Sequence, residues 1–151
     1  MITIEDFKKK QTSKTRLIGL DLGSKRIGVS ICDEKQSIAT PYKTIDRVNT
    51  ANFIDELKEI IKENNIKGIV IGNPINMDGS KGKSSQSAIS FAKNLSNNIT
   101  IPIVMWDERL SSEGSFKITS ELGTNVSNRV SKLDMNAAAF ILQGALDYLK
   151  N

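Results

Sequence analysis

The sequence predicts one α/β domain built on a mixed sheet, and three observations carry that reading. Two short apolar runs, residues 17–20 and 26–32, are joined through the tight segment Gly23, Ser24 and Lys25, the signature of an antiparallel hairpin. Two later β-branched or apolar runs, residues 66–72 and 101–106, alternate with helical patterns, which demands crossover connections and therefore parallel pairing. With 151 residues and 38% hydrophobic side chains the chain is long enough for one ordinary core and too short for two.

Taken in order, the elements are as follows. Thr3 with Asp6 at the third position resembles a helix start, but Lys8, Lys9, Lys10 and Gln11 give it no apolar face, so residues 1–15 read as a basic extension and 16–151 as the domain. A third strand is expected around residues 37–42, weakened by Pro41 and by the polar turn at Asp46 and Arg47. Phe53, Ile54, Leu57, Ile60 and Ile61 recur at helical spacing, with Asn49 or Thr50 as cap and Asn64–Asn65 as stop. A loop marked by Gly79, Ser80 and Gly82 precedes a second helix whose apolar face holds Ala88, Phe91, Ala92 and Leu95. The strand ending at Trp106, itself read as core or sheet surface, stops at Asp107, and helical patterns over about 112–122 and 132–149 close the chain.

Composition removes whole classes of chemistry. There is no histidine, so imidazole bases, Ser-His-Asp triads and His-ligated metals are excluded. The single cysteine, Cys32, can form neither an internal disulfide nor a structural zinc site, and it reads as a small core residue suited to a reducing cytoplasm. Of the formal charge of +4, most belongs to the first 16 residues, where Lys8, Lys9, Lys10, Lys14 and Arg16 face only Glu5 and Asp6. A basic arm fits a polyanionic partner or an ordinary solvated surface. No run approaches the length of a membrane span and the N-terminus lacks an apolar signal core.

Three acids interrupt or end apolar segments, where an unpaired carboxylate is costly. Asp21 precedes Gly23 and either caps the hairpin turn or faces a space fit for a metal or phosphate. Asp107, beside Glu108, ends a strand; the pair is either a polar terminus neutralised by Arg109 or part of a site at the carboxyl ends of parallel strands. Asp134 follows Ser131 as in a capping box, yet the small residues Ala137 and Ala138 would let that helix approach the sheet closely. If Asp21, Asp107 and Asp134 converge, they form a hard-oxygen site of the kind that holds magnesium and substrate phosphates. Strand alternation predicts that Glu108 points away from that site and pairs with a surface cation.

Four segments resemble the motifs of the YqgF family, proteins described as pre-16S rRNA nucleases and as Holliday-junction resolvase-like. They are residues 21–29 (DLGSKRIGV), 72–79 (GNPINMDG), 107–112 (DERLSS), and Leu133-Asp134 followed by Ala137, Ala138, Ile141, Leu142 and Gln143. Ser24, Leu22 and Asn73 depart from the usual residues, and three acids match where the junction resolvases of this fold use four. The resemblance implies a ribonuclease H-like fold with a mixed five-stranded sheet, an antiparallel meander followed by parallel strands, flanked by helices. It implies an Mg2+- or Mn2+-dependent endonuclease that hydrolyses phosphodiester bonds, with Asp21, Asp107 and Asp134 as catalytic and metal-binding residues and the 5′ end of pre-16S rRNA as substrate. Lys25, Arg26, Lys81, Lys83 and Arg109 are available for phosphate contacts, which add affinity without sequence specificity. A junction-resolving DNA endonuclease and a non-catalytic nucleic-acid or ribosome-assembly module are the alternatives. The expected partners are nucleic acid and ribosomal precursor particles, the expected state a monomer or homodimer, and the expected location the cytoplasm, with no membrane association.

Overall fold

A computed structural model describes residues 1–10, 15–47, 49–74, 78–110 and 126–150, with the backbone alone for 126–135. Strands β1 (Arg16–Leu22), β2 (Arg26–Cys32) and β3 (Ala39–Asp46) form an antiparallel meander. Helix α2 (Thr50–Asn64) then leads to β4 (Ile66–Asn73), and helix α3 (Lys83–Ser96) leads to β5 (Ile103–Asp107). β4 pairs parallel to β1 and β5 parallel to β4, giving the sheet order β3-β2-β1-β4-β5. A short 3-10 turn (Glu108–Leu110) follows β5, and helix α4 (Val126–Lys150) closes the chain. The expected helix over about 112–122 lies outside the described residues.

The central strands are buried on both faces because each face has its own core. Ile18, Leu20, Ile69 and Ile71 pack with Phe53 and Leu57 of α2 and Ala92 and Leu95 of α3. Their neighbours in the alternation, Leu17 and Val70, pack on the other face with Val104, Trp106, Ile141, Leu142 and Leu146. Both caps of α2 follow from sequence. Asn49 accepts a hydrogen bond from the backbone of Asn52, and Asn65 takes the left-handed conformation at φ 53°, donating to the Ile61 carbonyl. Cys32 is buried, and its sulfur accepts a bond from the Leu17 N–H at 3.1 Å.

Two sequence expectations are corrected. β3 runs on through Pro41 to Asp46, past the point where it was expected to fail. It is the edge strand, where a missing N–H does less harm, and Pro41 lies beside a register shift opposite Val29 and Ser30. Residues 1–10 are not a loose extension. Ile2 bridges to Val104, Thr3 caps helix α1 (Ile4–Lys10) through the Asp6 N–H, and Phe7 is fully buried in the α4-side core. The ring of Phe7 fills the space that a side chain at Gly68 would occupy, 2.6 Å from where its Cβ would stand. An aromatic anchor on a glycine notch, with Ile2 and Ile4 packed beside it, docks a helix that shows no amphipathic stripe.

Helix α4 lies against the meander and runs opposite to β1. Its Ala138 carbonyl accepts from Ser30 Oγ at 2.8 Å, level with Gly19, whereas Gln143 bonds Ser37 and Ala39, further from the Asp21 end. The helix already spans 131–134, so Ser131 and Asp134 stand in its interior and not at a cap. No helix among the described residues is long and apolar enough to cross a membrane.

Candidate active site

The parallel strands β1, β4 and β5 end side by side, and the site is built at those carboxyl ends. Counting by two from Leu17 and Gly19 brings Asp21 to the α4 face of β1; counting from Val70 brings Gly72 to the same face of β4. On β5, Val104 and Trp106 face α4, so the residue that continues this parity is Glu108. A crevice of about 490 Å³ opens here, lined by Asp21, Gly72 and Glu108 together with Arg47, Lys83 and Ser84.

Glu108 and Asp21 are electrostatic neighbours. Burial first, then the charge of Asp21, then that of Asp107, push the Glu108 carboxyl up from its ordinary 4.5 to about 7. Space for Glu108 comes from Gly72: a Cβ there would lie 3.3 Å from the Glu108 Cδ and 2.5 Å from the Ile141 Cδ1. The expectation for this pair is therefore inverted. Glu108 shares the crevice with Asp21, while Asp107 takes the surface cation.

Arg109 grips Asp107 through its Nε, its Nη2 at 2.7 Å and its backbone N–H at 3.0 Å. The hydrogen bonds from this guanidinium hold the Asp107 carboxyl below the usual range. Arg109 also senses Asp78, whose carboxylate bonds Ser80 Oγ at 2.7 Å and the Ser80 N–H at 2.9 Å; a Cβ on Gly79 (φ 89°) would lie 3.7 Å from the Arg109 Nη1. Arg109 thus ties the end of β5 to the glycine loop.

The other expected residues fall in different places. Lys83 lines the crevice, at the start of a helix whose Gly82 cap offers no side-chain bond. Lys25 and Arg26 line the adjoining groove with Asp46 and Arg47, and Lys81 is exposed on the loop. Asp134 is on α4, four residues before Ala138 and seven before Ile141, and its side chain lies outside the described residues. Beneath the loop, Ser85 Oγ donates to Asn73 Oδ1 at 2.6 Å in a buried bond that joins β4 to α3. The sequence reading missed the site position of Glu108 and missed Arg47 altogether. Parity places Glu108 on the face of Val104 and Trp106, but nothing in the sequence marks that face as the one holding Asp21; Arg47, in a polar turn, had no signal either.

Hard carboxylate oxygens, with no histidine or second cysteine in the chain, suit magnesium or manganese and exclude thiolate-bound metals. Among the described residues no three acids or cysteines meet, and one or two carboxylates suffice for magnesium, which keeps several waters for substrate phosphates.

Comparisons with known proteins agree with this architecture. A family model described as "RuvX: Holliday junction resolvase" matches residues 15–148. A protein of Pelagibacter ubique named "Putative pre-16S rRNA nuclease" is 66% identical over 151 residues, covering all of both chains, and one of the same name from Ruegeria pomeroyi is 44% identical over 99% of this chain and 97% of its own. Among solved structures, Thermus thermophilus RuvC superposes with a TM-score of 0.55 at 8% identity, covering 90% of this chain and 97% of its own. RuvC from T. thermophilus in complex with a Holliday junction substrate superposes with a TM-score of 0.53 at 12% identity, over 89% and 94%. At such identities the likeness shows the ribonuclease H-like fold of the RuvC resolvases.

Proposed function

We propose, from the premise that this chain belongs to the RuvX family of Holliday junction resolvases, that it is a divalent-metal-dependent endonuclease that cuts the 5′ flank of pre-16S rRNA in the cytoplasm. The observation that carries this reading is the meeting of Asp21 and Glu108 in one crevice at the carboxyl ends of parallel strands, beside a glycine that leaves room for Glu108. Two carboxylates pressed together in a partly buried place are poorly explained by stability alone, because each raises the other's proton affinity.

Asp21 and Glu108 would hold Mg2+ or Mn2+, and Asp134 would supply the third carboxylate. Support for Asp134 is positional. From Ala138, level with Gly19, four residues back along α4 span about 6 Å, and the two strand residues from Gly19 to Asp21 span about 6.7 Å. In this reading Asp107, assigned to the metal from sequence, orders Arg109 and the loop. When bound, the metal supplies Lewis-acid activation of water and charge neutralisation at the phosphate. The chain's own residues position the substrate. Lys83 and the uncapped first turn of α3 offer cationic and N–H contacts to phosphate in the crevice that holds the acids, while Lys25 and Arg26 extend the basic lining into the adjoining groove.

A second reading has one specific support, the family's own description as a junction resolvase, and it differs only in the polymer. Purified protein with Mg2+ or Mn2+ should cut a transcript carrying the 5′ precursor flank, and Asp21→Asn should lower that rate at least about 10³-fold while RNA binding persists. Cleavage that survives both Asp21→Asn and EDTA overturns the assignment. Cleavage of a four-way DNA junction in preference to the RNA selects the second reading.

A further inference from the structure

Arg47 stands on the wall shared by the crevice and the adjoining groove and lines both. It is held from several sides. Its Nη1 donates to the Gly23 carbonyl at 2.8 Å, its backbone N–H donates to the Lys25 carbonyl at 2.9 Å, and its guanidinium carbon sits 5.3 Å from the centre of the Phe91 ring. Phe91 is itself braced by Phe53 at 5.5 Å between centroids. Among the described residues no carboxylate forms an ion pair with Arg47.

An arginine held this way has already lost most of its side-chain freedom, so an anion that binds it pays little further ordering entropy. Its fork has five N–H donors, and the turn carbonyl engages one of its nitrogens, leaving donors and a full positive charge at the edge of the crevice that holds Asp21, Glu108 and Lys83. Such a group repels metal and attracts phosphate. We propose that Arg47 is a preset phosphate-binding residue, taking a nonbridging oxygen of the nucleic-acid strand laid across Asp21 and Glu108. The inference rests on the nuclease reading and deepens it by naming the residue that fixes where the strand lies. Lysine cannot replace it fully, since an ammonium cannot hold the Gly23 carbonyl, stand over the Phe91 ring and present a planar fork together.

The test is the salt dependence of binding, measured in EDTA with a single-stranded RNA of the 16S 5′ flank, and in a second arm with a four-way DNA junction. Arg47→Met should reduce the slope of log K against log salt by about 0.7 on RNA or about 0.9 on DNA, the loss of one phosphate contact. With metal present, the same substitution should raise KM about 10-fold and change kcat less than about 3-fold, as for a contact made equally before and during reaction. Arg47→Lys should keep the wild-type slope and weaken binding several-fold. An unchanged slope and KM in Arg47→Met, with the unsubstituted protein binding normally, overturns this inference alone. Equal losses in both variants, accompanied by lower thermal stability, show a structural clamp on the Gly23 turn and also overturn it. Failure of the unsubstituted protein to bind either nucleic acid overturns the nuclease reading with it.

Discussion

Asp107 and Glu108 are neighbours in sequence and opposites in environment. Asp107 leaves β5 toward an arginine two residues on and is held ionised by it. Glu108, one residue later, turns to the α4 face, loses water, meets Asp21, and holds its proton to about 7. Their shared chemistry means that the difference comes from parity: a single step past the end of β5 moves a carboxylate from a surface pair with arginine to a buried place beside a second carboxylate. A carboxylate satisfied by its own arginine has little left to offer a cation, whereas a pair of carboxylates raising each other's proton affinity has a great deal.

The contrast can be broken first at the level of activity. Glu108→Gln should lower metal-dependent cleavage at least about 10²-fold, as expected for losing a ligand of the reacting centre, and Asp107→Asn less than about 10-fold. The reverse ranking in single-turnover assays would return Asp107 to the metal. The next largest effect concerns the space between the acids. Gly72→Ala should destabilise the protein by about 2 to 3 kcal/mol, because its Cβ would overlap Ile141 and crowd Glu108; denaturant unfolding measures this, and a loss under about 0.5 kcal/mol would mean that the α4 face yields easily.

Smaller effects sharpen the comparison through pH. Glu108 binds its proton more tightly in the folded chain, at about 7, than at its ordinary 4.5, so folding takes up a proton between those values. Its contribution to the stability of metal-free protein should therefore be present below pH 4.5 and lost as pH rises to 7. Glu108→Gln should remove that loss and raise stability at pH 8 by about 1 to 2 kcal/mol, an amount reduced by partial exposure. Saturating Mg2+ should stabilise the wild type more than this variant. Asp107 has the opposite sign: its lowered proton affinity contributes stability above the ordinary carboxylate range that is lost as pH falls through its folded value. Arg109→Gln should cost no more than about 1 kcal/mol at neutral pH and should shrink the difference in acid stability, both read from thermal melts.

Local pattern alone placed the hairpin, α2 with its asparagine caps, β4, β5 and the apolar face of α3, because each depends on residues close in the chain. The mixed sheet and the family also followed from the order of elements and four short motifs. β3 was foreshortened because the tolerance of Pro41 depends on β3 being an edge, a fact of sheet order. The docking of residues 1–10 escaped because it depends on Phe7 meeting Gly68, sixty-one positions away, and not on any periodic face.

The site divides in the same way. The sequence by itself excluded imidazole chemistry, leaving carboxylate, hydroxyl, lysine or metal-ion chemistry to a chain without histidine, and it singled out Asp21 at the end of an apolar strand. Alternation also required Asp107 and Glu108 to take opposite faces. Which of them joins Asp21 could be decided only by the tertiary structure. β1 and β4 are apolar on both faces, so neither strand carries a sequence mark telling one face from the other; the packing of α4 against Gly72 and Trp106 on one side, and of α2 and α3 on the other, distinguishes them.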